Sequence, residues 1–212
     1  TRVAYYNLED GIDTADRASK AALQHYGLSL DDPDVLDNIM VMSGRDAPVK
    51  IATADRGATK IIEPLIEAMV AWLRVGRVKV LTIDPFVDTH AVPESDNSAI
   101  NEVAKAWGRV AERADCAVHL VHHVRKLNGK RVEAEDARGA VALIAAARVT
   151  RTLAHVTEPN DMAALGIGEA DARNYFLSED GGKRNVGQAS GKLFFRRASV
   201  PIAVQREGGA GY

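Results

Sequence analysis

Three places in the chain could do chemistry together, although long stretches of sequence separate them. Glu9 lies at the end of the run "RVAYYNLED", Asp84 follows "VLTI", and His122 with His123 closes "CAVHLVHH". A carboxylate can polarise a water molecule as a general base. A second carboxylate, held on a rigid strand end, is what a hydrated Mg²⁺ contacts. An imidazole can donate a hydrogen bond to a phosphate oxygen, or it can ligate a metal. Singly, each signal has a plain structural explanation: strands often end in Asp for turn reasons, and Glu9 could cap a helix. Zinc held by His119, His122 and His123 is disfavoured, because strand alternation turns His122 away from the other two and no cysteine joins them.

The elements around these residues give them a common location. "RVAYYNLED", "VKVLTIDPF" and "CAVHLVHH" are apolar runs, the last two rich in Val, Ile and Leu as buried parallel strands require. Between them, "TKIIEPLIEAMVAWLRVG" places Ile61, Ile62, Leu65, Ile66, Met69, Val70 and Leu73 at helical spacing, with Gly76 as the stop. "SDNSAINEVAKAWGRVAERAD" carries a second stripe, Ile100, Val103, Ala104, Trp107 and Val110, behind the capping candidates Asp96, Asn97 and Ser98. Strand and helix in alternation predict an α/β fold with a mostly parallel sheet flanked by helices. In such a sheet every strand delivers its C-terminal end to one rim, where ligands bind. Glu9, Asp84 and the histidine pair all fall there. "RGAVALIAAAR" reads as a short helix, and "RVTRTLAHV", "NYFLSED" and "KLFFRRASV" read as antiparallel strands added at the C-terminal edge of the sheet.

Composition sets the outer bounds. With 212 residues, 46% hydrophobic and 26% charged, the chain has the makeup of one soluble globular domain. We expect a single core over residues 1–205 and a disordered tail, "REGGAGY", over 206–212. One cysteine, Cys116, rules out an intrachain disulfide and suits a reducing cytosol. No apolar stretch is long enough to span a membrane, so no membrane partner and a cytoplasmic location are expected. Net charge is −2, which excludes a global basic footprint for nucleic acid. The charge is uneven: residues 119–212 hold 14 Lys and Arg against 10 Asp and Glu, and residues 1–118 hold 13 against 19.

Taken in order, "RVAYYNLEDGIDTADR", "VKVLTIDPFVDTH" through "SDNSAI", "VHLVHHVRK" and "DARGAVALIAAAR" resemble the RecA-like, AAA-type P-loop ATPases of phage and plasmid replication. Among these, the likeness is greatest to hexameric helicases of the RepA type, with DnaB-like helicases more distant. The resemblance implies that Glu9 is the catalytic glutamate that activates the attacking water. It implies that Asp84 is the Walker B aspartate supporting Mg²⁺, and that His123, with His122 beside it, senses the γ-phosphate. Arg148 matches a cation reaching a neighbouring subunit's nucleotide, and Lys183, in "GGKRNVG", matches a Lys-x-Asn element near that interface. Arg138, in "DARGA", corresponds to a structural or coupling arginine grouped with Asp84 at the cofactor. The implied cofactors are ATP and Mg²⁺, and the implied partners are further copies of the chain, six by resemblance, and single-stranded DNA.

One departure stands out. No G-x-x-x-x-G-K-[ST] loop occurs in the chain. "GQASGKL", Gly187 to Leu193, has too few residues between its glycines and no hydroxyl after Lys192. Relatives carry this loop just upstream of the segment matching Thr1, so we expect a parent chain with the loop before Thr1 and little ATP turnover by these 212 residues alone. "VRKLNGKRVEAEDARG" adds a basic patch, Arg125, Lys126, Lys130 and Arg131, which in RecA-like helicases would face single-stranded DNA in a channel; an exposed polar loop is the competing reading. Two other functional classes stay open: a non-catalytic module for assembly or DNA holding, and a metal-dependent hydrolase built on the histidines.

Overall fold

The structure, a computed structural model, describes residues 1–29, 32–123, 140–184 and 191–202. The first element, β1 (Arg2–Asn7), leads into α1 (Ile12–His25), the short α2 (Pro33–Leu36) and β2 (Ile39–Ser43). A hairpin follows, β3 (Ala52–Asp55) and β4 (Ala58–Ile61), and then α3 (Glu63–Val75). Next come β5 (Val78–Asp84), a 3₁₀ turn (Phe86–Thr89), the two-residue β6 (His90–Ala91), α4 (Asn97–Ala114) and β7 (Ala117–Leu120). The C-terminal part holds α5 (Ala140–Ala146), β8 (Val149–His155), α6 (Pro159–Leu165), α7 (Glu169–Ala172), β9 (Tyr175–Arg184) and β10 (Leu193–Arg196).

Four strands form a parallel sheet in the order β2-β1-β5-β7. Ala4, Tyr6, Leu81 and Ile83 point from one face of it into the main core. The apolar stripes of α3 (Ile66, Met69, Val70, Leu73) and α4 (Ile100, Val103, Trp107, Val110) complete that core. The cap of α4 follows its sequence: Asp96 accepts from the Ser98 and Ala99 amides, and Asp115 ends the helix in the left-handed conformation. Trp107, fully buried, donates its indole N–H to the Thr89 hydroxyl at 3.2 Å, tying α4 to the turn that follows Asp84.

The α/β class and the parallel sheet are as the sequence pattern predicts; two details differ. The helix expected from Thr59 begins only at Glu63, because Ala58–Ile61 pair with β3 across a tight turn. Arg56 and Gly57 both take positive φ there, the hairpin turn geometry that glycine makes accessible. Pro64 then sits in the first helical turn, where its missing N–H costs nothing. The C-terminal strands are antiparallel, but they form a sheet of their own, β10-β9-β8. With β8 on one edge and β10 on the other, β9 fills its hydrogen bonds within this sheet.

Candidate functional site

The rim at the C-terminal ends of β1, β5 and β7 is tied together by backbone hydrogen bonds. Asn7 is in register with Asp84, and Ile83 with Leu120. Beyond the strands, the Leu8 amide donates to the Asp84 carbonyl at 2.7 Å, the Val121 amide to Ile83 at 2.9 Å, and the Phe86 amide to Val121 at 2.7 Å. These bonds fix the three chain ends that carry Glu9, Asp84 and the histidines.

Asn7 sets the direction of the first tip. Almost fully buried, its side-chain oxygen accepts from the Glu9 amide at 3.0 Å and the Asp10 amide at 2.8 Å. That turn lifts the Glu9 side chain into solvent, and Arg45 braces it by donating to the Glu9 carbonyl at 2.9 Å. Ser43 donates to the Asp10 carbonyl at 2.8 Å, and the Gly44 amide donates to the Asn7 carbonyl at 2.7 Å. Gly44 is required by space: a Cβ there would lie 2.6 Å from Leu8 Cδ2 and 2.9 Å from Leu8 Cα. Thus the end of β2 supports the end of β1.

Across the rim, His123 Nε2 lies 3.7 Å from Glu9 Oε1, and both side chains are exposed. The two ends that were farthest apart in sequence are therefore neighbours in space. Asp84 stands between them on β5, half-buried, and Tyr5 donates its hydroxyl to Asp84 Oδ2 at 2.9 Å. Asn7 Nδ2 approaches Tyr5 Oη at 3.4 Å and Asp10 Oδ2 at 3.3 Å, which extends the network along the rim. Tyr5 is pushed up to about 12, first by burial and then by its hydrogen bond to Asp84 and by that carboxylate's charge. Sequence reasoning missed Tyr5. The alternation that puts residues 5 and 7 on one face of β1 was the available signal, but the tyrosine looked like one more apolar strand residue.

The two adjacent histidines diverge. β7 ends at Leu120, so strand alternation does not extend to them. His122 turns toward the buried ring of Phe86, edge-on with centroids 5.8 Å apart, while His123 faces Glu9. Among the described residues no three His, Cys, Asp or Glu side chains gather in a way that could hold a metal ion by themselves. One carboxylate of the rim is the group that could meet a hydrated cation. Asp84 offers a hard oxygen donor, and Oδ1 has no partner among the described residues once Oδ2 has taken the Tyr5 hydroxyl.

The other residues singled out from sequence are more scattered. Arg148 is exposed between α5 and β8, and Lys183 lies in β9, away from the rim in sequence and in a different sheet. Arg125, Lys126, Lys130, Arg131 and Arg138, and the tail over 206–212, lie outside the described residues. Lys192 of "GQASGKL" is engaged structurally: its ammonium bonds both oxygens of the buried Asp161, at 2.6 and 2.8 Å. It enters β10 through Gly191, at a φ of 63°, and opens no helix.

The parallel sheet thus carries a glutamate, an aspartate and a histidine on its carboxyl rim. The AAA domain family matches residues 1–129, from β1 past the histidine pair, and the chain belongs to that family. At this level it is an ATPase-type domain, for which nucleotide is the expected ligand. No curated protein matches the chain. In this chain no helix among the described residues is long and apolar enough to cross a membrane.

Proposed function

We propose that the chain is the ATP-hydrolysing core of a RepA- or DnaB-like replicative helicase, or of a related DNA-remodelling motor. In this reading hydrolysis occurs at interfaces between copies of the chain and is coupled to single-stranded DNA. The observation that carries it is the approach of His123 to Glu9 on the rim that also bears Asp84. Phosphoryl transfer needs positioning and charge stabilisation more than covalent chemistry from the protein, and these three groups divide that work.

Glu9, held outward by the Asn7 turn, accepts the proton of the attacking water. His123 donates to the γ-phosphate and, through its contact with Glu9, reports to the base whether that phosphate is present. Asp84 would hold Mg²⁺ through water, and the ion would supply charge neutralisation at the phosphates. Tyr5 keeps the Asp84 carboxylate in one orientation. Arg148, in this scheme, serves the site of a neighbouring copy, with Lys183 near the same interface. Arg125, Lys126, Lys130 and Arg131 supply DNA contacts, and Arg138 couples them to the nucleotide.

The test supplies a G-x-x-x-x-G-K-[ST] segment upstream of Thr1 and measures phosphate release with Mg²⁺-ATP, with and without single-stranded DNA. DNA-stimulated turnover is expected. Glu9→Gln should lower it by about 10²-fold or more while nucleotide still binds. No turnover with nucleotide bound would replace this reading with a non-catalytic assembly module. Turnover indifferent to Glu9→Gln and His123→Ala would remove the site assignment.

A further inference from the structure

The sheet β10-β9-β8 has one packed face and one open face, and the strand register says which residues share each. Ala154, Leu177 and Phe194 form a row on the packed side, where Leu177 is buried. The adjacent row, His155, Phe176 and Phe195, points the other way. Leu153 and Leu193 share that second face. Its edge strands are open, with Leu153 61% exposed, Phe195 51% and Leu193 41%, while on the central strand Phe176 is half-buried and Ser178 buried between its neighbours.

An antiparallel sheet with one solvated face ordinarily turns polar residues outward. Here three flat rings stand side by side on three strands, with two leucines beside them. His155 and Phe176 are near-stacked, with centroids 4.4 Å apart and planes tilted by 33°. The Arg197 guanidinium lies 5.3 Å from the Phe176 ring centroid. Arg151, exposed, is on the same face, opposite the half-buried Asp180, and exposed Arg148 leads into β8. Flat rings with guanidinium groups at their edge match a polyanion whose repeating unit is also flat. Bases stack on phenyl and imidazole rings whatever their identity, and arginines take the phosphates between them.

We propose that this face is a stacking platform for single-stranded DNA, with Phe195 and His155 receiving bases and Arg151 and Arg197 receiving phosphates. The choice of DNA rests on the motor reading above; the platform itself does not. Its residues lie outside the family-matched residues 1–129.

Fluorescence anisotropy of a labelled oligothymidine of about 12 nucleotides, titrated with the 212-residue chain, tests the platform directly. Phe195→Ala should weaken binding about tenfold or more, and Phe195→Tyr, which keeps the ring, should leave it within about twofold. Removing both guanidiniums, Arg151→Ala with Arg197→Ala, should lower the slope of log affinity against log salt by about 1.4. Circular dichroism of each variant checks that the sheet persists. Equal affinity for Phe195→Ala and the parent chain would overturn the proposal, as would no binding of the parent chain in low salt. Stronger binding of oligouridine than of oligothymidine would overturn the assignment to DNA. A dimer in sedimentation velocity that Phe195→Ala dissolves, with DNA affinity unchanged, would make the face a contact between copies instead. Loss of the platform leaves the ATP hydrolysis test untouched, and failed hydrolysis with intact platform binding would remove only the motor reading.

Discussion

Tyr5 shows how much a single side chain decides at this rim. Its hydroxyl donates to Asp84 Oδ2, so the carboxylate on which Mg²⁺ would depend is held by a strand neighbour. A hydrogen bond to a charged acceptor contributes about 1.5–3 kcal/mol in protein settings. Tyr5→Phe removes it at nearly constant volume. In the chain carrying a phosphate loop, the Mg²⁺ concentration for half-maximal hydrolysis should rise about tenfold, with a smaller change in turnover at saturating Mg²⁺. An unchanged Mg²⁺ requirement would show that Asp84 needs no such support. The same phenol makes a pH prediction. Because its folded pKa is raised from the usual 10 to about 12, the protonated folded form is favoured, and that contribution is complete below pH 10. It is lost as pH rises from 10 to 12. Burial raises Tyr6 as well, so ultraviolet titration of phenolate should show a late component among the five tyrosines, and Tyr5→Phe should reduce it by one phenol.

At the scale of elements, the three rim strands were legible because each is an apolar run ending in a chemistry-bearing residue. The supports between them were not. β2 is the five-residue "IMVMS", too short to declare a period, and its role depends on a glycine contact that only packing reveals. Gly44→Val should push the β2 end away from Leu8 and destabilise the fold by about 1–3 kcal/mol. Thermal denaturation measures this, and a wild-type midpoint would mean that Leu8 yields freely. The hairpin β3–β4 was hidden for another reason: Ile61 and Ile62 continue the stripe of α3, so periodicity carried the helix too far. That hairpin leads to His90, buried on β6 beside Phe86 and paired with Ala52. Burial pushes His90 below its ordinary value, aided by Lys50 and His122, while Glu94 and the Val92 backbone oppose without forming a well-shaped hydrogen bond. The folded state therefore prefers the neutral ring. Its contribution is present above pH 6.5 and is lost as pH falls below that value. His90→Leu should flatten the drop in melting temperature between pH 7.5 and 5.5; an equally steep drop would place the acid sensitivity elsewhere.

For the whole molecule, the sequence pattern reached the rim better than the C-terminal third. Alternation in "RVTRTLAHV" and "KLFFRRASV" identified strands, but which sheet they join depends on partners that alternation does not encode. The consequence is that Lys183 falls on a strand of the second sheet and Arg148 on the approach to it, rather than on the strands that carry Glu9, Asp84 and His123. If Arg148 contributes to hydrolysis, the motor reading has it act on another copy, and activity must then depend on assembly. Two measurements follow for the chain carrying a phosphate loop. Specific ATPase activity should rise with protein concentration and then level off as interfaces fill. Subunits with Arg148→Ala retain their own Glu9, Asp84 and His123, whereas Glu9→Gln subunits retain Arg148. Mixing the two inactive variants should recover activity at interfaces that pair an intact Glu9 with an intact Arg148. Complementation can arise only if the cation and the base come from different copies. Specific activity independent of concentration, with no recovery on mixing, would confine the reaction to a single chain and leave Arg148 as a solvated helix end.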